Sequence, residues 1–168
     1  MSQPDQSKQQ NSGNPFDLSG HRALITGGTQ GVGAAISLAL ARAGADVLLG
    51  GLHHDENAER TLSACREQGV TAELLVTDLA KPPTTYLPDL LTHADELLPG
   101  IDLLINNAGT YIDKPFFEMD FERYLTTLHL NVTSGYFLAQ AFARRWVENG
   151  VRGRILFTGS INGVLSEP

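Results

Sequence analysis

The chain has 168 residues, 42% of them hydrophobic and 18% charged, which is enough apolar surface for one ordinary core and not the composition of a disordered chain. Its formal net charge of -7 opposes general attraction to nucleic-acid phosphates or anionic lipid, because such binding rests on Lys and Arg neutralising phosphates. Neither nucleic acid nor membrane is expected as a partner, and a small molecule is.

Residues 2–13 are mostly Gln, Asn, Ser and Gly with little to bury, so the segment 1–15 is expected to be a disordered polar tail and 16–168 the folded domain. The start lacks the apolar run of a signal peptide, and no later stretch is long and apolar enough to span a bilayer. The single cysteine, Cys65, excludes an intramolecular disulfide and fits a reducing compartment. Together these point to a cytoplasmic protein.

Short apolar runs at 22–26, 46–49, 72–76, 101–105 and 154–158 alternate with helical patterns, the form that repeated βαβ units and a parallel sheet take in sequence. Residues 32–43 are rich in Ala and Leu and stop at Gly44; Asp55 offers an N-cap to a helix over 56–68 that Gly69 closes. A helix over 82–98 must place Pro88 at its start or at a kink. Apolar residues from Phe121 to Val147 predict one long, partly buried helix over 120–149. The basic cluster Arg144, Arg145, Arg152 and Arg154 falls where that helix should end, and cations there complement its dipole.

The first run passes directly into a glycine-rich turn and a helix: Arg22-Ala-Leu-Ile-Thr-Gly-Gly-Thr-Gln-Gly-Val-Gly33. Gly27 supplies an unusual backbone turn, Gly31 a close approach to a pyrophosphate, and Gly33 tight packing of helix on strand. The unbonded N–H groups at the helix start then face negative charge. A tight βα connection would need glycines too, but the βα pattern that follows favours a dinucleotide site over residues Thr26, Gly27, Gly28, Thr29, Gln30, Gly31, Val32 and Gly33.

The spacing Thr-Gly-x-x-x-Gly-x-Gly at 26–33 resembles the short-chain dehydrogenase/reductase family, classical type. Further landmarks follow in that family's order: Asp78-Leu79 after the third run, Asn106-Asn-Ala-Gly109 after the fourth, Asn131 within His129-Leu-Asn-Val, and Ser160 within Phe157-Thr-Gly-Ser-Ile-Asn. The resemblance implies a Rossmann-like doubly wound α/β fold with strand order 3-2-1-4-5, incomplete at its C-terminal side. It implies NAD or NADP as cofactor, with Asp78 and Leu79 at the adenine and Asn107, Ala108 and Gly109 holding cofactor and sheet. It also implies hydride transfer between a secondary alcohol and a ketone, with Ser160 bonding the substrate oxygen and Asn131 holding a water in the proton relay. A homo-oligomeric parent protein is implied as well. Alone, Asn131 and Ser160 would read as ordinary helix and loop residues, and Asn106 and Asn107 as a turn.

The family's Tyr-x-x-x-Lys pair, whose lysine brings the phenol toward ionisation near neutrality, normally lies shortly beyond that serine. Four residues after Tyr86, Tyr111, Tyr124 and Tyr136 come Leu90, Pro115, Leu128 and Gln140, and Tyr111 with Lys114 has the wrong spacing. The expectation is a chain truncated before the pair, with its last strand left as an edge, inactive alone. A non-catalytic nucleotide-binding module and a structural fragment are the alternatives. Gly51, at the position that chooses between NAD and NADP, carries no charge, and neither does Gln30, so the preference stays open, with His53 and His54 as neighbours that could meet a phosphate. Ser160-Ile-Asn-Gly resembles the corresponding stretch of sugar and polyol dehydrogenases. No metal site is expected, because His21, His53, His54, His93 and His129 lack ligand-spaced partners.

Overall fold

The structure is a computed structural model and describes residues 15–161; the tail at 1–14 and residues 162–168, with Asn162 and Gly163 of the stretch beginning at Ser160, lie outside them. Five strands pair in parallel in the order β3-β2-β1-β4-β5: β1 Arg22–Thr26, β2 Asp46–Gly51, β3 Ala72–Val76, β4 Leu103–Asn106 and β5 Arg154–Phe157. The helices are α1 Gly31–Arg42, α2 Glu56–Arg66, α3 Pro83–Leu97, α4 Phe121–Leu128 and α5 Ser134–Asn149. The Rossmann-like order expected from the sequence is the one observed.

Successive strand residues serve opposite faces. Ala23, Ile25, Val47, Leu49, Leu103 and Ile105 pack with Ala41, Leu62 and Cys65 of α1 and α2. Leu24, Leu48 and Leu104 pack with Tyr86, Leu90 and Ala94 of α3 and with Leu138, Phe142 and Trp146 of α5. A sheet covered on both sides needs apolar residues at every position, which is why the strands read as continuous runs. Leu24, Leu48 and Leu104 are fully buried, and each truncation to alanine would cost about 2–5 kcal/mol.

Element limits differ from expectation in places that have local causes. The fourth strand begins at Leu103, since the Ile101 carbonyl is taken by the Trp146 indole N–H at 2.7 Å. The second extends to Gly51, whose register partner is Val76. Helix α3 starts at Pro83 and runs through Pro88, which is neither its first residue nor its end; a proline this close to the start forfeits only one bond, to the helix's second residue.

The expected single helix over 120–149 is interrupted. Asp120 caps α4 by accepting from Arg123 N at 2.8 Å, a π-turn occupies His129–Thr133, and α5 continues to Gly150, whose φ of +66 closes it. The basic cluster is also corrected. The last turn of α5 holds no basic residue, and Arg145 instead reaches α3, pairing with Asp95 at 2.8 Å. β5 pairs only with β4 among the described residues and, as expected, is an edge, with Leu156 and Phe157 exposed.

Candidate functional site

Parallel strands that all point the same way bring every βα turn to one end of the sheet, and a cleft of about 950 Å3 opens there. Its walls come from the turns after β1, β2, β3, β4 and β5. Of the predicted set, Thr26, Gly27, Thr29, Gln30, Val32, Gly33, Asp78, Leu79, Asn107, Ala108, Gly109, Asn131 and Ser160 line it.

Gly28 and Gly31 are not among its lining residues. Gly28 faces the core: its N–H donates to Gly50 O at 2.9 Å, its carbonyl accepts from Ser37 Oγ, and a Cβ would meet Ile25 O at 2.8 Å. Gly31 has φ of +54 and open space where a Cβ would stand, so its contribution is backbone shape.

The turn after β1 is bolted to the turn after β4. The Thr26 hydroxyl accepts from Asn107 N and Ala108 N, both at 3.0 Å, and the Asn107 amide donates to Thr26 O and Gly27 O at 3.1 and 3.2 Å. On its other side Asn107 Oδ1 accepts from Thr158 Oγ1 at 3.2 Å. One asparagine thus ties together the turns after β1, β4 and β5. Within this bolt Gly27 adopts φ of +63, and a Cβ on Gly33 would lie 1.9 Å from Gly27 O, so only glycine lets α1 start so close to the turn.

Helix α1 begins with an uncapped, unshielded terminus: the Gln30 side chain makes no capping bond and the first turn holds no acidic residue. Helix α2 is the opposite case, with Asp55 accepting from Ala58 N at 3.0 Å and Glu56 and Glu59 in its first turn. Of these two helices, α1 is the one whose first N–H groups are left for an anionic ligand, and its start lines the cleft. A bare cradle of glycines, an open cleft and an uncapped helix start are what a dinucleotide pyrophosphate requires, so the residues present fit that group.

At the far side of the cleft the π-turn carries Asn131. Its Oδ1 accepts from Thr110 N and its Nδ2 donates to Thr110 O, both at 2.8 Å. Ser160 follows β5 and faces the same cleft. Asp78 accepts from Ala80 N at 3.0 Å and stands 3.8 Å from Lys81 Nζ; it is the only formally charged group among the described lining residues. His53 and His54 do not line the cleft, and His54 is paired with Glu59. Sequence reasoning missed Thr77, Thr110 and Thr158 in the wall; isolated threonines in turns carry no pattern that distinguishes them. It also missed that both polar ends of the buried Asn106 side chain lack partners among the described residues.

The family described as short chain dehydrogenase matches residues 21–168. The chain is 34% identical over 147 residues to the L-rhamnose 1-dehydrogenase (NADP(+)) of Thermoplasma acidophilum, covering 88% of this chain and 57% of that protein. It is 33% identical over 153 residues to the gluconate 5-dehydrogenase of Gluconobacter oxydans, covering 91% of this chain and 58% of the other. Among solved structures, the 3-oxoacyl (acyl-carrier-protein) reductase of Agrobacterium tumefaciens C58 with NADP bound matches with a TM-score of 0.78 at 31% identity, covering 89% of this chain and 56% of that one. The chain thus spans a little over half the length of the curated relatives it matches.

Proposed function

The chain belongs to the short-chain dehydrogenase family, and from that membership we propose that residues 16–168 are the NAD(P)-binding domain of an oxidoreductase that moves a hydride between a secondary alcohol and a ketone. The observation that carries the reading is the single cleft shared by the glycine cradle at 26–33, Asn131 and Ser160. A bound nicotinamide ring would supply the hydride acceptor or donor.

The chain's own residues take the remaining work. The turn at 26–33 and the start of α1 hold the pyrophosphate, and Asp78 with Leu79 holds the adenine end. Asn107 and Ala108 keep the floor of the cleft rigid through their bonds to Thr26, and Gly109 continues that floor beside the cofactor. Ser160 hydrogen-bonds the substrate oxygen, where negative charge grows as the carbonyl accepts hydride. Asn131 orients a water for the proton relay while its amide anchors Thr110. The substrate class proposed is a sugar or polyol, supported by the rhamnose and gluconate dehydrogenases among the relatives.

No Tyr-x-x-x-Lys pair occurs in the 168 residues, so the proposal includes binding of nucleotide by this polypeptide without turnover. A cytoplasmic setting is supported by the buried, unbridged Cys65; no helix among the described residues is long and apolar enough to cross a membrane. Homo-oligomerisation of the whole protein is supported by the exposed apolar side chains Phe121, Tyr124, Val132 and Tyr136 along α4, the π-turn and α5. Titration calorimetry with NAD and NADP is the test. One-to-one binding of either is expected, with no oxidation or reduction of sugar alcohols or ketones; absence of binding by both overturns the reading in favour of a structural fragment, and turnover overturns the inactivity.

A further inference from the structure

The π-turn that carries Asn131 keeps its shape by bonds of its own. Ser134 N donates to His129 O, the five-residue step that defines a π-turn. The carbonyls on either side, of Leu128 and Leu130, accept from Thr133 Oγ1 at 3.3 Å and from Ser134 Oγ at 2.9 Å. None of these bonds decides where the turn stands over the cleft. Asn131 fastens it to Thr110, which lies in a stretch from 107 to 115 that is neither helix nor strand. A turn tied to the protein only there would swing together with its partner.

His129 supplies a second tie. Its Nδ1 lies 3.0 Å from Ala80 O, and because a carbonyl can only accept, Nδ1 carries the proton. Ala80 is itself well fixed: its N–H donates to Asp78 Oδ1 at 3.0 Å, and the preceding Leu79 is buried in the apolar cluster against which Leu130 packs. Ala80 and Leu130 both line the cleft, as do Asp78 and Asn131. The bond joins residues 49 apart in the chain. The π-turn is therefore slung between two βα turns, held by His129 to the one after β3 and by Asn131 to the one after β4.

From this arrangement we infer that His129 is a positioning residue of the proposed reaction: its bond to Ala80 O fixes the π-turn against the turn after β3 and so fixes where Asn131 stands in the cleft. The inference rests on the oxidoreductase reading above for what Asn131 does there, and adds the residue that places it. His129 itself touches no reacting atom and acts only through Asn131.

Amide hydrogen exchange in the 168-residue chain reads this placement at the Thr110 N–H, which Asn131 Oδ1 holds. His129→Leu removes the donor and keeps apolar bulk, whereas His129→Asn returns an amide N–H close to where Nδ1 stood. Protection of Thr110 is expected to fall about fivefold in the leucine variant, the worth of one neutral hydrogen bond, and to recover in the asparagine variant. The amides of Leu24, Leu48 and Leu104, in the buried strands, should keep wild-type protection in both. Unchanged protection of Thr110 in His129→Leu overturns the inference. So does a loss shared equally by the strands, which would make His129 a general support of the fold, and so does a failure of asparagine to restore protection. Titration of NAD and NADP into the unmodified chain tests the cofactor reading separately: if neither binds, that reading falls, while the exchange result still decides whether His129 places Asn131.

Discussion

Asn131 holds Thr110 by both ends of its peptide, accepting from Thr110 N and donating to Thr110 O at 2.8 Å each. The π-turn at His129–Thr133 carries this residue, and the bonds fasten the turn after β4 to it. Both bonds are exposed, so Asn131→Ala should cost about 1 kcal/mol of stability. Asn131→Asp should cost more, because a carboxylate accepts from Thr110 N but turns a second oxygen toward Thr110 O. Urea unfolding of the two variants, with limited proteolysis across 110–118, checks this; unchanged midpoints and cleavage rates would show that the turn holds itself.

The glycines at 31 and 33 stand two residues apart and should respond very differently to one methyl group. A Cβ at Gly33 meets Gly27 O at 1.9 Å, backbone against backbone, so Gly33→Ala must drive α1 away from the turn. A loss of about 3 kcal/mol or more and abolished nucleotide binding are expected. At Gly31 there is only the φ of +54 to oppose a side chain, at about 1–2 kcal/mol. Thermal or urea midpoints of the two variants side by side decide it, and equal losses would contradict the geometry.

The strands were legible because a sheet covered on both faces writes itself as unbroken apolar runs, and the turn after β1 because Gly27, Gly31 and Gly33 stand at that spacing between an apolar run and a helical pattern. The break in the helix over 120–149 was not legible. A π-turn adds one residue to a turn, and the apolar residues on either side stay compatible with a single helical period, so nothing between Leu128 and Ser134 marks it. Arg145 misled for a related reason. Position along a helix suggested its dipole, whereas the choice of Asp95 on α3 depends on a helix crossing that sequence spacing does not contain. Asn131 and Ser160 could be picked out only by their order relative to other landmarks, since each residue type is ordinary where it stands. The bond from Asn107 to Thr158 unites turns 51 residues apart, beyond any local pattern.

Trp146 closes the base of α5 on the sheet. Its indole N–H donates to the buried Ile101 carbonyl at 2.7 Å, and a Cβ on Gly153 would lie 2.1 Å from its ring. Trp146→Phe keeps most of the apolar contact but strands the carbonyl, for an expected loss of about 1–3 kcal/mol. Gly153→Ala should be comparably damaging in the wild-type background and milder beside the smaller phenyl ring. A double-mutant cycle by urea unfolding measures the coupling; strictly additive losses would mean that Gly153 is not there for the indole.

Tyr86, on α3, is buried with its hydroxyl unpartnered among the described residues. Burial pushes its phenol from 10.0 up to about 12, since the core disfavours the phenolate. Below pH 10 the phenol is protonated in both folded and unfolded chains, and its contribution to stability is complete. As the pH rises from 10 to 12 the unfolded chain gives up a proton that the folded chain keeps, so stability is lost, by about 2 kcal/mol across the interval. The other three tyrosines are exposed, so Tyr86→Phe isolates the effect. That variant should be more stable than wild type by about 1 kcal/mol near neutrality, having shed an unpaired buried hydroxyl, and its lead should widen above pH 10. Urea unfolding of both proteins at pH 7, 9 and about 11 follows the difference; a constant gap across that range would mean that the phenol ionises as readily in the folded core as in water.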